Sequence, residues 1–359
     1  MKMVTSRSAR LAAALLLLGT APLAAGGRAK NVILFLADGT GIPTINAASI
    51  YAHGKGRALY VQNMPHIGLS ETSTTIAWVS DSAAGMTAIV TGQKTKNTVL
   101  SQSADAEPRV RDGAPLKTIL EYAEERGLST GVVSNSAMSD ATPAACYAHS
   151  NSRGNPGIFA QILKPRFGDG VDVVIGPGRQ SILAASKKVG VDLNTALPAQ
   201  GFLFLASLAA LDTADAKARR VVALWNGDDF DLGKAVDHAI RILSQNRKGF
   251  FLMVESNNHF DSARKSLDNL AKFDQIIQRT ADAWRKNTLL LFTADHSYGL
   301  RLAGGRKGQD IVPLVKVQDG HTAEEVLVAA EGPGSQRVKG VMENTELFRI
   351  MLSAYGWKP

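Results

Sequence analysis

Three apolar runs in this chain end in residues able to hold cations. NVILFLAD (31–38) ends in Asp38, GFFLMVE (249–255) in Glu255, and NTLLLFTADH (287–296) in Asp295-His296. One acid after an apolar run is ordinary, since loops are polar. Three runs that bring Asp, Glu and Asp-His to one edge predict a metal site, because carboxylates crowded together repel unless cations gather them. A second stretch, WVSDSAAGMTAIVTG (78–92), sets Asp81 and Ser82 ahead of Ala83-Ala84-Gly85. Asp or Ser satisfies the unpaired N–H groups of a helix start, and small residues allow tight packing. The same position gives a serine the positive end of a helix and free N–H donors, a setting that receives phosphate. On its own this stretch supports both roles, helix cap and nucleophile.

Such residues need elements to hold them. Six short apolar runs lack polar alternation, as parallel strands covered on both faces do: 31–38, 129–136, 171–178, 220–226, 249–255 and 287–296. Helical stretches lie between them, including 114–127 and 231–246, with no internal repeat and no Pro- or Ser-rich linker. The pattern predicts an α/β fold, doubly wound, with a mostly parallel central sheet and helices on both faces. In such sheets ligands bind outside the carboxyl ends of the strands, which is where the acids fall.

The 359 residues, 45% of them hydrophobic, are enough for a large core. Residues 1–26 read as a secretory signal: Lys2, Arg7 and Arg10 are basic, Leu11 to Leu18 apolar, and Ala24-Ala25-Gly26 a small-residue cleavage zone. This predicts a periplasmic or secreted protein with a single catalytic domain over 27–359 and no membrane association after cleavage. Loss of the leader's three bases lowers the formal charge from +8 to +5. The remaining Lys and Arg are scattered without interleaved aromatics, which argues against nucleic acid as a dedicated partner. Cys146 is the only cysteine, so no internal disulfide forms; it reads as a small core residue.

LFLADGTG, SDSAAGMTAIVTG, SDATPAACYAHSNSR, VDVVIGPGR, FLMVES, LLLFTADH and DGHTAEEVLVAAEGPG occur in the order and rough spacing of the alkaline phosphatases. The chain resembles that family over nearly everything beyond the leader. The resemblance implies metal-dependent hydrolysis of small phosphate monoesters through a phosphoserine, releasing inorganic phosphate. Ser82 matches the phosphorylated serine. Asp38 matches the carboxylate bridging one zinc and the magnesium, and Asp295 and His296 match that zinc's other protein ligands, beside the Ser82 oxygen. Thr142 and Glu255 match magnesium ligands, with Asp140 contributing through water; Asp140 and Thr142 also read as a helix cap before Pro143. Arg153 matches the phosphate-clamping arginine and Asp81 the residue that holds it. His149 reads as a supporting or structural histidine. Mixed nitrogen and oxygen donors suit Zn²⁺ and oxygen donors suit Mg²⁺, in agreement with these assignments.

Two departures from the family pattern stand out. After the Glu, the family supplies an Asp and, four residues on, a His to the other zinc, with a third ligand matched here by His321. In VESNNHFDSARKSLDN the Asp is Asp261, but the His position is Lys265. One zinc is therefore expected tight and the other weak, completed by water or by His259, with Lys265 either turned outward or contacting substrate oxygens. Only 24 residues separate His296 from His321, where longer members insert a crown-like subdomain. An open site without a crown-mediated dimer is expected, in a monomer or homodimer. The rival readings are a phosphodiesterase, phosphonate hydrolase or sulfatase of the same superfamily, or a weakly catalytic phosphate- or metal-binding protein. Arg153 favours phosphate monoesters.

Overall fold

β1 (Asn31–Asp38) is buried at all eight positions, and its side chains alternate between two separate cores. Val32, Leu34 and Leu36 share a cluster with Ala83, Met86 and Ile89 of the helix Ser82–Thr91 and with Ile350 and Met351 of the helix Glu346–Tyr355. Ile33, Phe35 and Ala37 share the other with Ile45 of the helix Ile42–His53, Val236 of Leu232–Leu243 and Phe273 of Ala263–Trp284. A strand sandwiched in this way has no face left for polar residues, which explains the unbroken apolar runs. The ring of Phe35 meets that of Phe273 edge-on at 5.8 Å; truncating such a residue costs about 3–5 kcal/mol.

The computed structural model describes residues 27–213, 217–227, 230–260 and 262–358. The leader, residues 1–26, and Asp261 lie outside the described residues. After β1 come β2 (His66–Ser70), β3 (Ser129–Ser134), β4 (Val173–Pro177), β5 (Leu203–Leu205), β6 (Val221–Trp225), β7 (Phe250–Asn257), β8 (Thr288–Thr293), β9 (Ser297–Leu302), β10 (Val315–Thr322), β11 (Val326–Glu331) and β12 (Gly340–Met342). Ten of them form one sheet in the order β12-β2-β11-β8-β1-β7-β3-β4-β6-β5, and β9 and β10 pair separately. From β8 to β5 every pairing is parallel, while β11 runs antiparallel to both β2 and β8. The expected doubly wound α/β architecture is therefore present, with one reversed strand in its carboxyl-terminal part.

Register places the acids. Leu36 of β1 lies opposite Glu255 of β7 and Thr293 of β8, and Glu255 lies opposite Ser134 of β3. Side chains level with one another in adjacent strands point to the same face, so Glu255 and Ser134 face the side of the helix Ser82–Thr91. Asp38, two residues beyond Leu36, faces it too. At the opposite end of the sheet, Ala29 N–H donates to the Ala354 carbonyl at 2.8 Å and Tyr355 Oη to the Phe250 carbonyl at 2.6 Å. The C-terminal helix is thereby fastened beside the start of β1. No helix among the described residues is long and apolar enough to cross a membrane.

Candidate active site

Ligand atoms of Asp38, Asp295 and His296 lie within 4.8 Å of one another, all three residues buried. His296 Nε2 is 3.4 Å from Asp38 Oδ1 and 3.6 Å from Asp295 Oδ2. Its Nδ1 lies 3.0 Å from the Ser297 carbonyl; a donated bond there fixes the proton on Nδ1 and leaves the Nε2 lone pair for the cluster. Asp295 Oδ1 accepts from the backbone N–H groups of Gly39 and His296, at 3.3 and 3.0 Å. Among the buried side-chain oxygens without a hydrogen-bond partner in the described residues are four from the expected metal ligands: Asp38 Oδ1, Asp295 Oδ2, Glu255 Oε1 and Thr142 Oγ1. Each such group costs about 1–3 kcal/mol if left unsatisfied. Orphaned oxygens from four places in the sequence, beside a lone-pair nitrogen, fit bound cations.

The electrostatics agree. Burial and the Asp38 charge raise Asp295 to about 6 and push Glu255 well above the usual carboxylate range. Burial would raise Asp38 as well, but the hydrogen bond and charge of His259, with His296 beyond, hold it well below. Three acids this close do not all stay ionised without compensating positive charge. Glu255 Oε2 accepts from Ser134 Oγ, which in turn accepts from Ser136 N–H at 2.7 Å. This support for Glu255 is missed by sequence motifs, although a serine level with Glu255 on the adjacent strand is the signal that would have found it.

Ser82 begins its helix and is 3% exposed, with Oγ 3.3 Å from His296 Nε2. The capping role belongs to Asp81 instead: its Oδ1 accepts from Ala84 N–H at 3.0 Å, which leaves the Ser82 hydroxyl free to face the cluster. The bare first turn also has a packing reason. A Cβ on Gly85 would lie 2.5 Å from the Asp295 carbonyl oxygen, so only glycine lets the helix press against the segment bearing Asp295 and His296.

Arg153 reaches Asp81 Oδ2 through Nη1 at 3.2 Å and Asp140 Oδ1 through Nη2 at 2.8 Å. Its partial burial disfavours the charge, but the Asp140 and Asp81 carboxylates more than offset this and keep the guanidinium protonated. Asp81 Oδ2 also accepts from Thr98 N–H, and Asp81 N–H donates to Asn97 Oδ1. Asp140 caps the short helix Ala141–Ala144 through Ala141 N–H at 2.7 Å, so the cap and the arginine contact coexist. Thr142 is wholly buried.

The residues expected at a second ion position fall differently. His321 Nδ1 lies 2.8 Å from the Ser80 carbonyl, and its ring stacks on that of His296 with centroids 3.6 Å apart. His259 turns inward, Nε2 lying 3.1 Å from Asp38 Oδ2. Lys265 is exposed, with Nζ over the Phe260 ring at 4.1 Å, which is the outward placement of the two expected for it. His149 is structural: it bonds the Ser101 carbonyl at 2.7 Å and Glu121 at 2.8 Å. Cys146 is fully buried. The residues between His296 and His321 form most of the β9–β10 hairpin, joined by the loop 303–314.

A family model described as alkaline phosphatase matches residues 29–194 and 225–319. The Escherichia coli alkaline phosphatase is 28% identical, with 92% of this chain and 87% of that protein covered. Streptomycin-6-phosphate phosphatase of Streptomyces griseus is 29% identical, with 98% and 97% covered. Among solved structures, the alkaline phosphatase of the Antarctic bacterium TAB5 superposes with a TM-score of 0.80 at 27% identity, covering 93% of this chain and all of the other. A substituted form of that enzyme, described with magnesium bound, gives 0.77 at 28% identity. With the match to the family model spanning well over half its length, the chain belongs to the alkaline phosphatase family.

Proposed function

We propose that this protein hydrolyses phosphate monoesters through a phosphoserine on Ser82. The observation that carries the reading is the placement of a buried serine hydroxyl 3.3 Å from His296 Nε2, at the mouth of a cluster of orphaned oxygens. Asp38, Asp295, His296 and the serine oxygen would hold one Zn²⁺; Asp38, Thr142 and Glu255, with Asp140 through water, would hold Mg²⁺. When bound, these ions supply the positive charge that favours the serine alkoxide and neutralises the phosphoryl oxygens.

The chain's own residues do the rest. Ser82 Oγ gives its proton to solvent and bonds to phosphorus as the P–O bond to the ester's alcohol breaks; the departing oxygen keeps that electron pair and takes up a proton from solvent. Water then attacks the same phosphorus, returning the serine oxygen and releasing inorganic phosphate. Arg153 presents two N–H groups in one plane to the phosphoryl oxygens, a grip that suits a monoester with its free oxygens. Asp81 and Asp140 fix the plane of that fork from two sides. The short β9–β10 hairpin would favour access by small esters, and the leader argues for action after export. The near full-length likeness to a phosphatase named for a sugar phosphate supports the monoester reading.

The test is a comparison of p-nitrophenyl phosphate, bis-p-nitrophenyl phosphate and p-nitrophenyl sulfate, with acid trapping of label from radioactive phosphate. Monoester turnover should exceed the other two by about a hundredfold or more, since a diester or sulfate lacks one of the charges that the arginine and ions address. Ser82→Ala should lose about a thousandfold or more in rate and trap no label. A faster diester or sulfate reaction, or label on the Ser82→Ala variant, would overturn the reading.

A further inference from the structure

We propose that His259 is a ligand of the second ion, paired with His321, and so takes the place of the histidine that this chain lacks at residue 265. The inference rests on the phosphatase reading above and concerns a residue for which the family pattern has no role. Its first support is aim. His259 Nε2 lies 3.1 Å from Asp38 Oδ2, its backbone N–H is held by Asn257 Oδ1 at 3.2 Å, and its side chain packs so closely on Gly39 that a Cβ there would lie 2.7 Å away. Gly39 has a φ of +64°, so both backbone conformation and space at that turn favour glycine, and the space serves this imidazole.

The second support is spacing. The rings of His259 and His321 have centroids 5.9 Å apart and planes at 69°. Two imidazoles on one tetrahedral zinc, with Zn–N near 2.0–2.1 Å, have ring centres roughly 5–6 Å apart. His296 and His321, stacked at 3.6 Å, are too close to share an ion in that way, which assigns His296 to the cluster with Asp295. His321 Nδ1 is already committed to the Ser80 carbonyl; that bond fixes its tautomer and leaves Nε2 as the ligating atom. An ion on His259 Nε2 would replace its hydrogen bond to Asp38 Oδ2 and release that oxygen to the ions Asp38 would hold.

The third support is the withdrawal of Lys265. Its side chain is exposed and its ammonium lies over the Phe260 ring at 4.1 Å, so it does not fill the position.

Cobalt titration tests this without relying on turnover. The full chain, stripped by chelator and supplied with excess magnesium to occupy the oxygen-only ligands, is titrated with Co²⁺ while its visible absorption is recorded. The wild type and Lys265→Ala should each take up two equivalents with four-coordinate spectra. His259→Ala should take up one, with the second bound at least about tenfold more weakly. His259→Gln separates ligation from hydrogen bonding, because the amide still donates to Asp38 but is a poor zinc-type ligand; it should also take up one equivalent. Two equivalents with an unchanged spectrum in both His259 variants would overturn the proposal, as would a single equivalent in the wild type. Failure of the phosphatase reading would appear separately, as absence of acid-stable label on the wild-type serine with the cobalt count intact.

Discussion

In the proposed reaction Arg153 is the residue on which recognition would turn, and two acids decide its geometry. Each takes one terminal nitrogen, Asp81 at 3.2 Å and Asp140 at 2.8 Å, so the guanidinium plane is set before any ligand arrives. Lysine in its place keeps the charge but offers no fork. Arg153→Lys should therefore weaken inhibition by inorganic phosphate by about tenfold or more, the worth of one charge-assisted hydrogen bond, and lower turnover with it. Unchanged phosphate inhibition would remove Arg153 from the site. At this scale the sequence spoke clearly where a motif fixed the residue: Asp38, Ser82, Asp295 and His296 lie together because strand ends and a helix start converge. For His259 it left two answers open, this imidazole or water, since whether a residue two positions from Asp261 points inward depends on the path of a loop, and no local pattern encodes that.

The helix Ser82–Thr91 shows the element scale. Its ten residues are all buried, and its first turn is shaped by what lies against it rather than by helix propensity. Gly85→Ala should raise intrinsic helix preference by about 1 kcal/mol. Yet the new Cβ would lie 2.5 Å from a backbone oxygen of Asp295, and such overpacking costs typically 1–3 kcal/mol, so the clash prevails. Displacing Asp295 should show as weaker cobalt binding, as well as a lower unfolding temperature. An alanine variant with wild-type metal affinity would mean that the contact relaxes freely. The six apolar runs became β1, β3, β4, β6, β7 and β8, because strands buried on both faces carry a continuous signal. The expected helix 231–246 is Leu232–Leu243, capped by Asp231. Elsewhere the pattern failed for physical reasons. β2, β5 and β12 are short and only partly buried, and the stretch 114–127 yields a helix only over Ile119–Glu124, because Thr118 and Glu121 form a capping box that starts it late.

For the whole molecule, the site is a liability to stability that cations relieve. In the metal-free fold Asp295 titrates near 6 and Glu255 well above its ordinary value. Both sit above their unfolded values, so the stability they allow is present at low pH and is lost as pH rises through and beyond 6. Asp38, held low, acts in the opposite sense only below its unfolded value, outside the range compared. His259, raised to about 9 despite its burial by the hydrogen bond to and pairing with Asp38, adds a loss as pH rises toward 9. Chelation should therefore lower the unfolding temperature more at about pH 8 than at about pH 5, with roughly 2–4 °C for each kcal/mol in a chain of this size. Equal losses at both pH values in calorimetry would show that the carboxylates are not the source. Burial also raises Glu124 to about 9, but this group is present with or without metal and drops out of the comparison. The fastening of the C-terminal helix beside the start of β1 bears on handling: with eight residues at about 3.3 Å each, Asp38 stands roughly 25 Å from that end. A surface or fused partner joined through residue 27 or through the end of the chain's last helix therefore attaches at the end of the sheet opposite Asp38.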